Sequence, residues 1–162
     1  MRKDYFKIDL DAPEPLVAEV KRTVRFQEVD MLGIVWHGHY ASFFEDARMA
    51  LGRRYGVSYL DFYREKVAAP IRKLHADYFR PLYFDKEYSI KARLHYTDAA
   101  KINYDFFIYN ETGELCTSGY SVQMLVCPES QELLLAPPPF YQDFLDNWRD
   151  GTLADKERCE FS

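Results

Sequence analysis

The sequence predicts an α+β fold, one long helix lying on an antiparallel sheet of about five strands. The helix is announced by Tyr40, Phe43, Phe44, Ala47 and Leu51, whose spacing makes one broad apolar stripe. The sheet is announced by stretches in which apolar and polar residues alternate, the clearest being 86–97, where Tyr88, Ile90, Ala92, Leu94 and Tyr96 oppose Ser89, Lys91, Arg93 and His95. Neither layer can bury its apolar face alone, so the two are expected to pack together.

In order, residues 1–15 are polar, mixed in charge and carry Pro13 and Pro15, and read as an arm. Val20, Val24 and Phe26 then face one way and Lys21, Thr23, Arg25 and Gln27 the other, a strand over 20–27 whose apolar side is interrupted by Arg22. A loop follows from Glu28 to about Gly38, with Gly33 free to take backbone conformations closed to other residues. The helix spans 39–55, with Arg53 and Arg54 in the last turn, where the dipole favours cations, and Gly56 as its stop. Ser58 and Asp61 form a capping box for a short helix over 59–65. Residues 67–80 make a strand whose Pro70 places its start at an edge or bulge and which Pro81 ends. Strands over 86–97, 101–109 and 114–126 follow as hairpins or a meander, the last two joined by the turn Asn110-Glu111-Thr112-Gly113. After Pro137-Pro138-Pro139, the spacing of Phe140, Phe144 and Trp148 predicts a helix over 139–149, and the last dozen residues are polar and loose.

The length of 162 residues suits one domain over 1–162, with its core at about 20–126. A net charge of −5 argues against wholesale nucleic-acid binding. The 17% aromatic content fits either an aromatic core or an apolar ligand slot. Cys116, Cys127 and Cys159 have no metal-ligand spacing and read as free thiols in a reducing compartment. There is no secretory h-region and no run long enough to span a membrane, so a cytoplasmic protein with no membrane partner is expected.

Polar groups able to do chemistry concentrate in 25–48. The stretch Asp30-Met-Leu-Gly33-Ile-Val-Trp-His37-Gly-His-Tyr40, followed by Phe43-Phe44-Glu45-Asp46-Ala47-Arg48, resembles the opening motif of the 4-hydroxybenzoyl-CoA thioesterase family. Phe79-Arg80-Pro81-Leu82-Tyr83-Phe84-Asp85 is similar to a second segment of that family, and order and size agree over roughly 20–126. The resemblance implies the hot-dog fold, a curved sheet wrapped around the long helix. It also implies an acyl-CoA substrate, no cofactor, and a homodimer or homotetramer with its active site at the dimer interface.

Thioester hydrolysis needs a carboxylate to attack the carbonyl or activate water, and donors for the developing oxyanion. From the residues alone, Asp30 is either a turn cap or that carboxylate; the resemblance implies the latter, as nucleophile or general base. The helix N-terminus offers unpaired N–H groups and a positive dipole end. The resemblance assigns the oxyanion contact to the backbone N–H of His37, whose imidazole is a further candidate for orienting water or the thioester. Gly33, Gly38, Tyr40 and Arg80 are the expected substrate-binding residues, Arg80 for the phosphates of CoA, with Lys91, Arg93 and Lys101 as other cations. His37-x-His39 is a weak metal signal, no metal is expected, and His39 reads as a surface or interface residue. A rival reading places the carboxylate on the helix, at Glu45 or Asp46, against the alternative that both make helix salt bridges. Two other functions stay open: hydrolysis of acyl-acyl-carrier-protein, and non-catalytic binding of acyl-CoA.

Overall fold

A computed structural model describes residues 4–7 and 9–159. Its strands are β1 (Leu16–Thr23), β2 (Ile71–Tyr78), β3 (Glu87–His95), β4 (Lys101–Tyr109) and β5 (Leu115–Met124), and its helices α1 (Tyr40–Tyr55), α2 (Tyr59–Arg64), α3 (Pro139–Asp150) and α4 (Lys156–Cys159). The strands form one antiparallel sheet in the order β1-β3-β4-β5-β2. β3, β4 and β5 are the expected meander. β2 lies instead at the far edge, against β5, with a register irregularity between Ile71 and Lys73 that agrees with the bulge expected beside Pro70.

The sheet curves around α1. Tyr40, Phe43, Phe44, Ala47 and Leu51 are all buried, and the Phe44 ring stacks on Phe106 of β4 with centroids 4.6 Å apart. That stripe, the inner residues Ile90, Ala92, Leu94, Ile102 and Ile108, and the face of α3 join in one apolar cluster. The buried side of α3 is Tyr141, Phe144, Leu145 and Trp148, so Phe140 is less central than its spacing suggested. The tail is more ordered than expected: Arg54 grips Asp155 with two bonds of 2.9 and 2.8 Å and lies 3.0 Å from Glu157, which ties the start of α4 to α1. Ser58 caps α2 reciprocally with Asp61, as the capping box requires.

Two expectations are corrected. β1 begins at Leu16 and ends at Thr23, and Phe26 is not on the core face: it is 80% exposed, in a 3-10 turn over Phe26–Glu28, resting edge-on against Phe84. The chain leaves the strand because Glu28, only 3% exposed, turns inward to accept the Arg25 N–H at 2.8 Å and to pair with Arg22. Secondly, residues 4–7 do not merely lead into the fold. The Tyr5 hydroxyl donates to Asp77 at 2.7 Å, its ring and that of Phe6 pack on Tyr120, and Phe6 covers His95. The arm thus straps the outer face of the sheet. Of the expected free thiols, Cys116 and Cys127 are unpaired, and the side chain of Cys159 lies outside the described residues.

Under that strap sits Asp105, fully buried, held by Arg93 at 2.8 Å and facing His95 at 2.9 Å. Burial alone raises its carboxyl, but the bonds from His95 and Arg93 outweigh it and the net shift is downward. A depressed folded value stabilises the protein above the unfolded value of about 3.9 and is lost as pH falls through the folded one. Thermal melts between pH 6 and pH 3 are therefore expected to fall more steeply below about pH 4 for the native chain than for Asp105→Asn.

Candidate active site

The loop before α1 is a small rigid hairpin. Val29 and Val35 bridge, the Asp30 N–H donates to the Ile34 carbonyl at 2.9 Å, and the Trp36 N–H donates to the Glu28 carbonyl at 2.9 Å. Its tip closes through the Gly33 N–H and the Asp30 carbonyl at 3.0 Å, with Gly33 at φ +74°, a left-handed conformation that favours glycine. One flank is stitched to 82–84 by Val35 N–H to Leu82 carbonyl at 2.8 Å and Phe84 N–H to Gly33 carbonyl at 3.1 Å. The two segments singled out in the sequence, 30–48 and 79–85, therefore meet in space, and the second braces the first.

At the tip the Asp30 side chain is exposed, and its Oδ1 accepts the Leu32 N–H at 2.8 Å. It does cap a turn, yet Oδ2 has no hydrogen-bond partner among the described residues. Met31 and Leu32, 102% and 78% exposed, make an apolar rim beside the carboxylate.

His37 opens a 3-10 turn, His37–His39, that runs directly into α1. The His39 N–H is satisfied by the Trp36 carbonyl at 2.9 Å, whereas the N–H groups of His37 and Gly38 have no backbone partner among the described residues. They stand at the positive end of a 16-residue helix. Gly38 lies under the Trp36 indole: a Cβ there would run into the ring, which would have to move. That indole packs against both imidazoles, 4.7 Å from His37 and 5.6 Å from His39, so Trp36 fixes the helix entrance, a role its sequence position did not announce.

Tyr40 is 5% exposed and edge-on to Tyr78 at 4.7 Å, with its hydroxyl pushed up to about 12 by burial. It forms the wall behind the entrance. Arg80, at the end of β2, reaches Glu114 at 3.1 Å and is half exposed. Lys91 pairs with Glu19 at 3.5 Å, and Arg93 is committed to Asp105. The helix carboxylates are both held by arginines, Glu45 by Arg48 and Asp46 by Arg22 at 2.9 Å. Among the described residues no three His, Cys, Asp or Glu side chains are grouped to hold a metal, and no helix is long and apolar enough to cross a membrane.

Two further features escaped the sequence reading. Arg22 joins Glu28, Asp46 and, at 3.3 Å, the Ser42 hydroxyl, with its guanidinium 3.9 Å over the Phe43 ring, so one side chain ties the hairpin to β1 and α1. Its interruption of the strand's apolar face was the available signal. The other is a cavity of about 890 Å³ between the second half of α1, α2 and residues 67–70, lined by Arg48, Tyr59, Phe62, Ala69, Tyr104 and Gln123 among others.

Residues 24–147 match the Thioesterase-like superfamily. YneP of Bacillus subtilis (strain 168), whose name as an acyl-CoA thioesterase is provisional, is 30% identical over 114 residues, 70% of this chain and 83% of its own. The chloroplastic acyl-acyl carrier protein thioesterase ATL3 of Arabidopsis thaliana is 31% identical over 56% of this chain and 48% of its own. In fold, a crystal structure of a DHNA-CoA thioesterase from Staphylococcus aureus is similar with a TM-score of 0.75 at 22% identity, covering 83% of this chain and 91% of that one. A curved antiparallel sheet around one long helix, shared with that structure, and a family match over most of the chain lead to one assignment: this chain is a hot-dog-fold thioester hydrolase belonging to the Thioesterase-like superfamily.

Proposed function

We propose that the protein, working as a single hot-dog domain, hydrolyses acyl-CoA to the free acid and CoA, with Asp30 as nucleophile or general base and the His37 N–H polarising the carbonyl. The observation that carries this is the closeness in sequence of an Asp30 oxygen without a partner among the described residues, on a bonded hairpin, and the His37 and Gly38 N–H groups at the α1 entrance, which have no backbone partner among the described residues. A thioester oxygen set at that entrance becomes an oxyanion facing donors that need no reorganisation. In the general-base route, water gives a proton to Asp30 as its oxygen bonds to the carbonyl carbon. In the nucleophilic route, Asp30 forms an anhydride that water then opens. In both, the C–S bond breaks and the CoA thiolate leaves to take up a proton. Gly33 and Gly38 let the substrate approach the backbone, Tyr40 backs the acyl site, and Arg80 shares its charge between Glu114 and a CoA phosphate.

The site is proposed to be shared between two copies of the chain. β2 is an edge strand with its inner face unsatisfied: Leu74 and Tyr78 are 51% and 53% exposed. An apolar edge of this kind invites pairing. Antiparallel pairing of β2 with its own copy brings the start of one β2, beside the cavity, next to the end of the other, where Tyr78 carries Tyr40 and the helix entrance. The test is release of CoA thiol from a panel of acyl-CoA thioesters, with the same acyl groups on a carrier protein in parallel, and the mass in solution by sedimentation at assay concentration. Turnover of at least one acyl-CoA by a dimer or tetramer is expected. Turnover of carrier-protein thioesters alone would transfer the substrate assignment to the class in the plant relative's name, and an active monomer would overturn the shared site.

A further inference from the structure

Tyr88 takes no part in the reaction proposed above, yet it holds the segment against which the Asp30 hairpin leans. It belongs to the core side of β3, is 4% exposed, and its hydroxyl accepts the Tyr83 N–H at 2.9 Å. The backbone bonds of 82–84 show why that contact matters. Tyr83 stands opposite Ile34 of the hairpin, and the two bonds that join the segments come from its neighbours, Val35 N–H to the Leu82 carbonyl and Phe84 N–H to the Gly33 carbonyl. The N–H and carbonyl of Tyr83 itself therefore point away from the hairpin. The carbonyl is met by the Lys86 N–H at 3.3 Å, within the same turn. The N–H is met by Tyr88, so this bond ties the middle of 82–84 to a strand of the sheet.

Two short links then lead to the site. Ile34, opposite Tyr83, accepts the Asp30 N–H on its carbonyl at 2.9 Å. Leu82, fully buried, takes the Val35 N–H and lies with its backbone against the hydroxyl of Tyr40, the first residue of α1. We infer that Tyr88 is a positioning residue for the Asp30 carboxylate: through the Tyr83 N–H it fixes 82–84 over the sheet, and with that segment the place of the hairpin relative to the α1 entrance. This rests on the hydrolysis assigned to Asp30 above and adds a residue that touches neither substrate nor reacting atoms. Phenylalanine at position 88 keeps the ring and its packing but leaves the Tyr83 N–H with no acceptor among the described residues. A partly buried donor without an acceptor is unfavourable, and it is relieved by turning towards water, which here means lifting 82–84 off β3. The hairpin is bonded to that segment and moves with it. A catalytic group displaced by about 1 Å loses rate even when the substrate binds as before.

The experiment compares the native chain with Tyr88→Phe, and with Tyr141→Phe, which removes a buried tyrosine hydroxyl from α3 instead. In thiol release from an acyl-CoA that the native chain hydrolyses, Tyr88→Phe is expected to lower kcat by about tenfold to a hundredfold with KM kept within about twofold, the pattern of an interaction needed only in the transition state. Tyr141→Phe is expected to keep kcat within about twofold of native. Hydrogen exchange on the same proteins is expected to quicken by about tenfold or more at the Val35 and Phe84 amides of Tyr88→Phe, and to stay as in the native chain at the Ala92 and Phe106 amides of β3 and β4. Unchanged kcat, a loss carried by KM, or an equal loss in Tyr141→Phe would overturn the inference. So would exchange that stays slow at Val35 and Phe84, or that quickens throughout the sheet. If the native chain hydrolyses no acyl-CoA, the reaction assigned to Asp30 fails, and exchange alone decides whether Tyr88 holds the hairpin: quickening confined to Val35, Phe84 and their neighbours supports it, and any other pattern overturns it.

Discussion

Asp30→Asn is expected to lower turnover of a hydrolysed acyl-CoA by a factor of about 10² or more while leaving the chain folded. The substitution isolates the charge from the turn. Asparagine keeps an Oδ1 that can accept the Leu32 N–H, now made at 2.8 Å, and it is a favoured turn residue, so the hairpin has no reason to open. What disappears is the basicity of the second oxygen, which has no partner among the described residues and is the atom proposed to attack carbon or take a proton from water. Thiol-release kinetics and a thermal melt on the same preparation check both halves of the expectation. Unchanged turnover with an unchanged melt would remove Asp30 from the reaction. Glu45→Gln and Asp46→Asn are the companion variants. Both carboxylates are occupied by arginines, so loss of activity on either with intact folding would move the site onto α1.

The residues that announce themselves locally are those whose environment is set by near neighbours. The α1 stripe, the Ser58–Asp61 cap and the alternation of β3 depend on spacing and reappear in the structure with little change. Asp30 is local too, but its two roles are not separable by pattern: one oxygen caps a turn and the other has no partner among the described residues, and the residues alone supported either reading. Features built by distant pairing were not legible. β4 is buried on both faces, and residues 4–7 return across the outside of the sheet onto its neighbours β3 and β5; nothing in the alternation of Ile102, Tyr104, Phe106 and Ile108 records that cover. The place of β2 beside β5 depends on a crossover past three strands. The cavity floor joins Arg48, Tyr104 and Gln123 from three elements, and each reads in sequence as an ordinary helix or strand residue. Phe26 misled because hydrophobic alternation assumes that the strand continues, whereas a buried glutamate two residues later ends it.

That glutamate makes Arg22→Met the variant expected to cost most stability, about 3–5 kcal/mol, because removing one partner leaves the other charge buried and unpaired. Glu28 is 3% exposed, and its other described bond, from the Arg25 N–H, cannot neutralise it. Asp46 loses the same arginine but is about half exposed, so water can replace that contact, and most of the loss is assigned to Glu28. Methionine keeps much of the side-chain volume over the Phe43 ring, so a large loss cannot be put down to a cavity. The double variant Arg22→Met/Glu28→Gln separates charge from packing: the glutamine can still accept the Arg25 N–H, no charge is stranded, and most of the lost stability should return. Chemical-denaturation midpoints for the two single variants and the double variant measure the coupling. A loss below about 1 kcal/mol in Arg22→Met would mean that Glu28 finds water or another partner on its own. The consequence for catalysis follows from the backbone, since the Glu28 carbonyl receives the Trp36 N–H and Trp36 holds Gly38 and both histidines in place. Arg22→Met is therefore expected to lower kcat even at temperatures where the chain is fully folded, and the double variant to recover kcat along with stability, because the hairpin that carries Asp30 and the entrance that carries the His37 N–H hang from the same buried carboxylate.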